Sequence, residues 1–149
     1  MRENLELIAG IYGQSKRCAA ASARHAIEEF GLSEVTSRRA WTLSGGMQCR
    51  LSIAMALITN PQILFLDEPT VSLDVFARRE LWDVITSLKG KVTILLTTHY
   101  REEVERLADV VAIMVSGTVV ATGTVDDLER RSKTDTLEDA FVRFAGGAR

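Results

Sequence analysis

Over the first sixty residues, apolar positions recur at steps of three and four, with Leu5, Ile8, Ala9 and Tyr12 on one helical face. The alanine-rich segment QSKRCAAASARHAIEEFG reads as a second helix closed by Gly31. A polar stretch, SEVTSRRAW, reads as a loop, and a third helix runs from Ser44 to Thr59 with Asn60-Pro61 as its stop. From Gln62 onward the texture changes. ILFLDE and KVTILLTTH are continuous apolar runs separated by the amphipathic ARRELWDVITSLKG. YREEVERLA reads as a helix, DVVAIMVSGTVVATG as a strand, a Ser116-Gly117 turn and a second strand, and TVDDLERR and TLEDAFVRFAG as two closing helices. Continuous apolar strands joined by helices predict an α/β protein whose parallel sheet is covered on both faces.

Composition narrows the function classes without naming one. The 149 residues are 46% hydrophobic and 26% charged, enough to bury a core. A net charge of -2 supplies no field for nucleic acid, and the basic pairs Arg38-Arg39, Arg78-Arg79 and Arg130-Arg131 are short and scattered. No apolar run approaches the roughly 18 residues that a membrane-spanning helix needs. The N-terminal MRENLELIAG is amphipathic with early acids and does not resemble a signal peptide. Cys18 and Cys49 have neither C-x-x-C spacing nor disulfide-rich surroundings, so both read as reduced thiols of a cytosolic protein. His25 and His99 form no metal-ligand spacing with them.

Four short segments can carry chemistry. ILFLDEPT places Asp67 and Glu68 at the end of a buried-type strand, where open α/β sheets put their ligands. A carboxylate there suits Mg²⁺ and its neighbour suits a water, although strands also end in acids simply on reaching the surface. LSGGM opens a helix with Ser44, Gly45 and Gly46, offering backbone N–H groups and a dipole to a phosphate, or no more than an ordinary N-cap. His99 follows TILLTT at a strand end and suits a phosphate oxygen or a water, or is a surface loop residue. Asp74, closing the segment SLD, is by itself a plausible cap for the helix that follows.

Taken in order, LSGGM, ILFLDEPT, SLD and TTH resemble the ATP-binding cassette family, the ATPase domains of ABC transporters, over nearly the whole chain. The resemblance implies a P-loop NTPase (RecA-like) α/β fold, with residues 1–60 as the helical subdomain ending in the signature helix and 61–149 as the C-terminal part of the ATPase core. It implies ATP and Mg²⁺ as cofactors and a head-to-tail dimer with a second cassette. Ser44, Gly45 and Gly46 would contact, in trans, the γ-phosphate held by that partner. Asp67 would help bind Mg²⁺, Glu68 would be the general base, His99 the switch histidine, and Asp74 part of the D-loop coupling the two sites. Met47, in place of the commoner glutamine, together with MRENLELIAGIYG and TLEDAFVRFAG, resembles the drug- and antibiotic-exporter branch. A separate membrane permease would then choose the substrate, and the ATPase would sit at the cytoplasmic face of the membrane.

The departures from the family pattern set further expectations. The phosphate-binding loop G-x-x-x-x-G-K-S/T is absent; the one Gly-Lys, Gly90-Lys91, lacks the earlier glycine and precedes Val92. The adenine-stacking aromatic residue and the Q-loop glutamine, both expected upstream, are missing too. Met1 stands where the family has a small apolar residue, as if the chain started inside the domain. Without the N-terminal antiparallel sheet and the P-loop strand, which the family places between TILLTT and VVAIMV, the sheet should be interrupted and two apolar edges exposed. The isolated chain is therefore expected to bind ATP poorly, hydrolyse it negligibly and be marginally soluble. Val71, between Thr70 and Ser72, and Gln48-Cys49, where basic residues are usual, are further departures, and neither is expected to touch the proposed chemical roles directly. A non-catalytic partner or decoy that lends LSGGM to a complete cassette is the other reading. Repair-type cassettes, with a long coiled coil before the signature, and translation-type double cassettes fit less well.

Overall fold

The computed structural model describes residues 1–146. The chain divides into two compact units, one ending at Thr97 and the other beginning at Thr98.

The first unit contains α1 (Arg2–Ile11), α2 (Lys16–Glu29), α3 (Gly45–Leu57), β1 (Ile63–Asp67), α4 (Val75–Ser87) and β2 (Thr93–Thr97). Helix α2 shows how local sequence sets an element's limits. Ser15 caps its start by accepting from the Cys18 N–H. At its end Gly31 takes φ +63°, while Gly31 N–H donates to Glu28 O and Leu32 N–H to Ile27 O, the paired bonds of a glycine-closed helix. The buried positions of α2 are Ala19, Ala23, Ala26 and Ile27, and those of α1 are Leu5 and Ala9. The small side chains allow the two helices to approach closely. Gln14 ties this pair to the end of α3, donating to Ile58 O at 3.1 Å while accepting from Ser22 Oγ at 2.8 Å. The expected loop over residues 33–41 contains the 3-10 turn Ser33–Val35, anchored by buried Val35, and ends in a second, Ala40–Thr42. Each is too short to carry a readable period.

Strands β1 and β2 run parallel, with Ile63 opposite Thr93 and Asp67 opposite Thr97. The expectation of cover on both faces does not hold. Leu64 and Leu66 are buried, but Ile63, Phe65 and Leu95 are exposed, Phe65 to 69%. An unbroken apolar run does not distinguish a strand buried on both faces from one whose outer face is apolar but uncovered.

The second unit contains α5 (Arg101–Leu107), β3 (Val111–Val115), β4 (Thr118–Gly123), α6 (Val125–Ser132) and α7 (Leu137–Gly146). Strands β3 and β4 form an antiparallel hairpin through Ser116 and Gly117, at φ +49° and +80°. Positive φ at both central residues matches the right-handed twist of the strands. A bulge lies between Ile113 and Met114. The core joins Ile113 and Ala121 of the hairpin to Leu128 and Leu137 of the closing helices. Thr124 caps α6, which has Asp126 and Asp127 in its first turn and Arg130 and Arg131 in its last, each charge opposing the nearer end of the helix dipole.

The chain is thus α/β, with its strands in two two-stranded sheets, one parallel and one antiparallel. Among the described residues no helix is long and apolar enough to cross a membrane.

Candidate functional site

Helix α3 begins at Ser44, whose extended backbone (φ -64°, ψ 160°) and side chain make it the N-cap: Oγ accepts from the Met47 N–H at 3.4 Å. The first intrahelical bond runs from Gln48 N–H to Ser44 O, so the Gly45 and Gly46 amides precede it; Ser44 and Gly45 are exposed, whereas Gly46 is buried. The glycines have a packing role as well. A β-carbon on Gly46 would stand 3.0 Å from Ala77 Cβ, and one on Gly45 would stand 3.3 Å from Leu73 Cδ2. The start of α3 therefore lies directly against α4 and the loop leading into it. Of the two readings the sequence leaves open for Ser44, the cap is the one seen in the geometry.

At the end of β1, Thr97 Oγ1 donates to Asp67 Oδ1 across the parallel pair. Glu68 N–H donates to Thr97 O at 3.0 Å and is within 3.3 Å of Thr97 Oγ1. Glu68 sits at φ +47°, a left-handed conformation that costs a non-glycine residue of order 1–3 kcal/mol and is seen disproportionately at functional sites. Ser72 repeats it at φ +68°, so the chain turns sharply twice before α4. Asp74 then caps α4, its Oδ1 accepting from both Phe76 and Ala77 N–H at 2.9 Å. Inside this loop Thr70 is fully buried with an unpartnered hydroxyl. Cys49 Sγ donates to Pro69 O at 3.4 Å, tying α3 to the residue after Glu68.

Ser44, Gly45 and Gly46 are thereby gathered with the loop carrying Glu68 and Asp74, while Asp67 and Glu68 are joined through Thr97, all within the first unit. His99 belongs to the second. It is exposed just before α5, its ring 4.2 Å from the Tyr100 ring, and Tyr100 N–H donates to Thr98 Oγ1 at 3.0 Å.

The ABC transporter family model matches residues 1–71. The daunorubicin resistance ATP-binding protein DrrA3 of Streptomyces coeruleorubidus is 42% identical, over 97% of this chain and 46% of its own length. The doxorubicin resistance ATP-binding protein DrrA of Mycobacterium tuberculosis is 40% identical, over 87% of this chain and 40% of its own. A solved ATP-binding subunit of an ABC transporter superimposes with a TM-score of 0.78 at 31% identity, over 96% of this chain and 61% of that one. The chain belongs to the ATP-binding domains of ABC transporters. Within them it falls in the drug-resistance branch, and it spans less than half the length of these curated relatives.

For a cassette of this family the residues present fit two parts of Mg-ATP. The exposed start of α3 suits a terminal phosphate, and the exposed Asp67 carboxylate is a hard oxygen donor for Mg²⁺. No group of three or more His, Cys, Asp or Glu residues could hold a metal among the described residues, so a cation here would take its other ligands from phosphate and water. The triphosphate cradle is not among the 149 residues.

Thr97 is the site residue that the sequence reading passed over. Its signal is the register: a threonine closing the strand paired with ILFLD faces the terminal aspartate.

Proposed function

We propose that this chain is part of the ATP-hydrolysing subunit of an ABC transporter that drives export through a separate membrane permease. The observation carrying this reading is Glu68, held at φ +47° directly after Asp67 at the C-terminal end of a parallel strand pair. A backbone held in that conformation aims two adjacent carboxylates differently, as a cation ligand and a base require. Asp67 takes the Mg²⁺ role, and Glu68 orients the attacking water and accepts its proton. Ser44 and the Gly45 and Gly46 amides serve the γ-phosphate bound by a second cassette, His99 senses that phosphate, and Asp74 fixes the loop through which one site reads the other. Bound Mg²⁺ would supply charge neutralisation on the phosphates; the protein supplies position and fixed dipoles.

The finer architecture belongs to the same proposal. Residues 1–60 act as the helical subdomain facing the permease and 61–149 as the C-terminal part of a P-loop NTPase core, working in a head-to-tail dimer at the inner face of the cell membrane. Export of drug-like compounds is supported by the drug-resistance names of the relatives, with substrate choice left to the permease.

The test joins the chain behind the segment of the Streptomyces coeruleorubidus relative that precedes the aligned region. The fusion should show Mg²⁺-dependent ATP turnover, and Glu68→Gln should lower it by about 10²–10³-fold, the scale of losing one transition-state contact. The chain alone should show no turnover above its Glu68→Gln control. A folded fusion whose turnover is indifferent to Glu68→Gln would refute the reading.

One observation favours a second reading, a non-catalytic partner. Ser44 caps the helix, and Ser44 and Gly45 are exposed at its start, open to a group supplied by another chain. Adding the chain to an intact homologous cassette separates the two, since a partner changes the cassette's turnover and its Ser44→Arg variant does not.

A further inference from the structure

We infer that Thr97 is a positioning residue of the site, its hydroxyl fixing the Asp67 carboxylate and the Glu68 backbone together. The inference rests on the proposed roles of Asp67 and Glu68 and adds how the strand end holds both in place.

The argument follows from what one hydroxyl can do. It has a single proton to donate and lone pairs to accept. Thr97 Oγ1 donates its proton to Asp67 Oδ1 and stands 3.3 Å from the Glu68 nitrogen, whose N–H points to it. That N–H is shared with Thr97 O at 3.0 Å. Three groups are thus joined at the register point where Asp67 faces Thr97. A hydrogen bond to an ionised carboxylate is stronger than one between neutral groups, so it can select one side-chain rotamer against the entropy of an exposed aspartate. Glu68 gains the opposite benefit. Its left-handed backbone is unfavourable alone, and such conformations persist where surrounding contacts over-determine them. The two bonds to Thr97 are such contacts. Valine would keep the β-branched shape that suits the strand while removing donor and acceptor together; serine would keep both.

The experiment uses the full chain, labelled with carbon-13 and nitrogen-15, and compares wild type, Thr97→Ser, Thr97→Val and Asp67→Asn. Three-bond couplings from Asp67 Cγ to the backbone report its χ1 populations, and the amide spectrum reports whether each variant keeps the fold. Wild type and Thr97→Ser should show one dominant Asp67 rotamer. Thr97→Val should show averaged couplings and an upfield shift of the Glu68 amide proton. A single rotamer persisting in folded Thr97→Val overturns the inference. So do averaged couplings in the wild type, a result that needs no variant to fold.

Mn²⁺ titration tests the underlying reading separately. Broadening of the residue 67–68 amides that Asp67→Asn removes, and that needs several-fold more Mn²⁺ in Thr97→Val, supports both claims. Broadening unchanged by Asp67→Asn removes the cation role, and with it the purpose assigned to Thr97, whatever the rotamers show.

Discussion

The hairpin β3–β4 and the parallel pair β1–β2 each bring two strands together, by different means. In the hairpin the partners are neighbours in sequence, joined by a two-residue turn whose positive φ angles fit strand twist, and their inner side chains close on α6 and α7. In the parallel pair, thirty positions separate Asp67 from its partner Thr97, and α4 lies between them. The hairpin's own unit completes its core. The parallel pair buries Leu64 and Leu66 on one face and leaves Ile63, Phe65 and Leu95 open on the other. The proposed carboxylate chemistry sits on the less self-sufficient pair, at the end where the backbone is strained. A strand pair that must present polar groups to a ligand at its terminus cannot satisfy all of them internally, so strain and exposure concentrate there.

The largest effect should come from the closed core. Leu128→Ala, at a fully buried position, should destabilise the chain by about 2–5 kcal/mol in denaturant unfolding, the usual range for deleting a buried leucine side chain. A loss below about 1 kcal/mol would mean that the hairpin unit collapses around the change.

Next is the contact that sets α3 against α4. Gly46→Ala puts a methyl 3.0 Å from Ala77 Cβ and should cost about 1–3 kcal/mol by overpacking, despite the better helix propensity of alanine. Pairing it with Ala77→Gly should recover part of that loss. If the single variant is instead stabilised, the helices are not in close contact there.

Asp74 separates the cap from the proposed D-loop role. Asp74→Ala should lose about 1 kcal/mol of stability, and Asp74→Asn much less, because the amide oxygen still accepts from Phe76 and Ala77. Equal losses would place the stability in the charge.

The smallest stability change should be at the open face. Phe65→Ser should alter unfolding by no more than about 0.5 kcal/mol, since surface positions away from buried features seldom exceed that. Sedimentation velocity should nevertheless show less self-association than wild type. A loss of stability like that of Leu128→Ala would show that the face is covered in solution.

The segments that the sequence made legible were those governed by local rules: the glycine-closed α2, the Ser116-Gly117 hairpin, the caps at Ser44 and Asp74, and the order of LSGGM, ILFLDEPT, SLD and TTH. Less legible was anything depending on pairing at a distance. The exposure of Phe65 is invisible in ILFLDE, because an apolar run reads alike whether its outer face is covered or not. Thr97 was hidden because its importance comes from register, which no residue near it in sequence specifies. The Cys49–Pro69 bond is illegible for the same reason, since the two residues lie twenty positions apart. The left-handed Glu68 had no signal at all, because glutamate gives no hint of positive φ.

The most direct test of the account uses the fusion described above in two inactive forms, Ser44→Arg and Glu68→Gln, assayed separately and then mixed. If Ser44 serves the nucleotide of the opposite subunit while Glu68 serves its own, each mixed dimer regains one intact site. The account then predicts that ATP turnover returns on mixing to a level neither form shows alone. Two forms that remain as inactive together as apart, in dimers shown to exchange subunits, would contradict it.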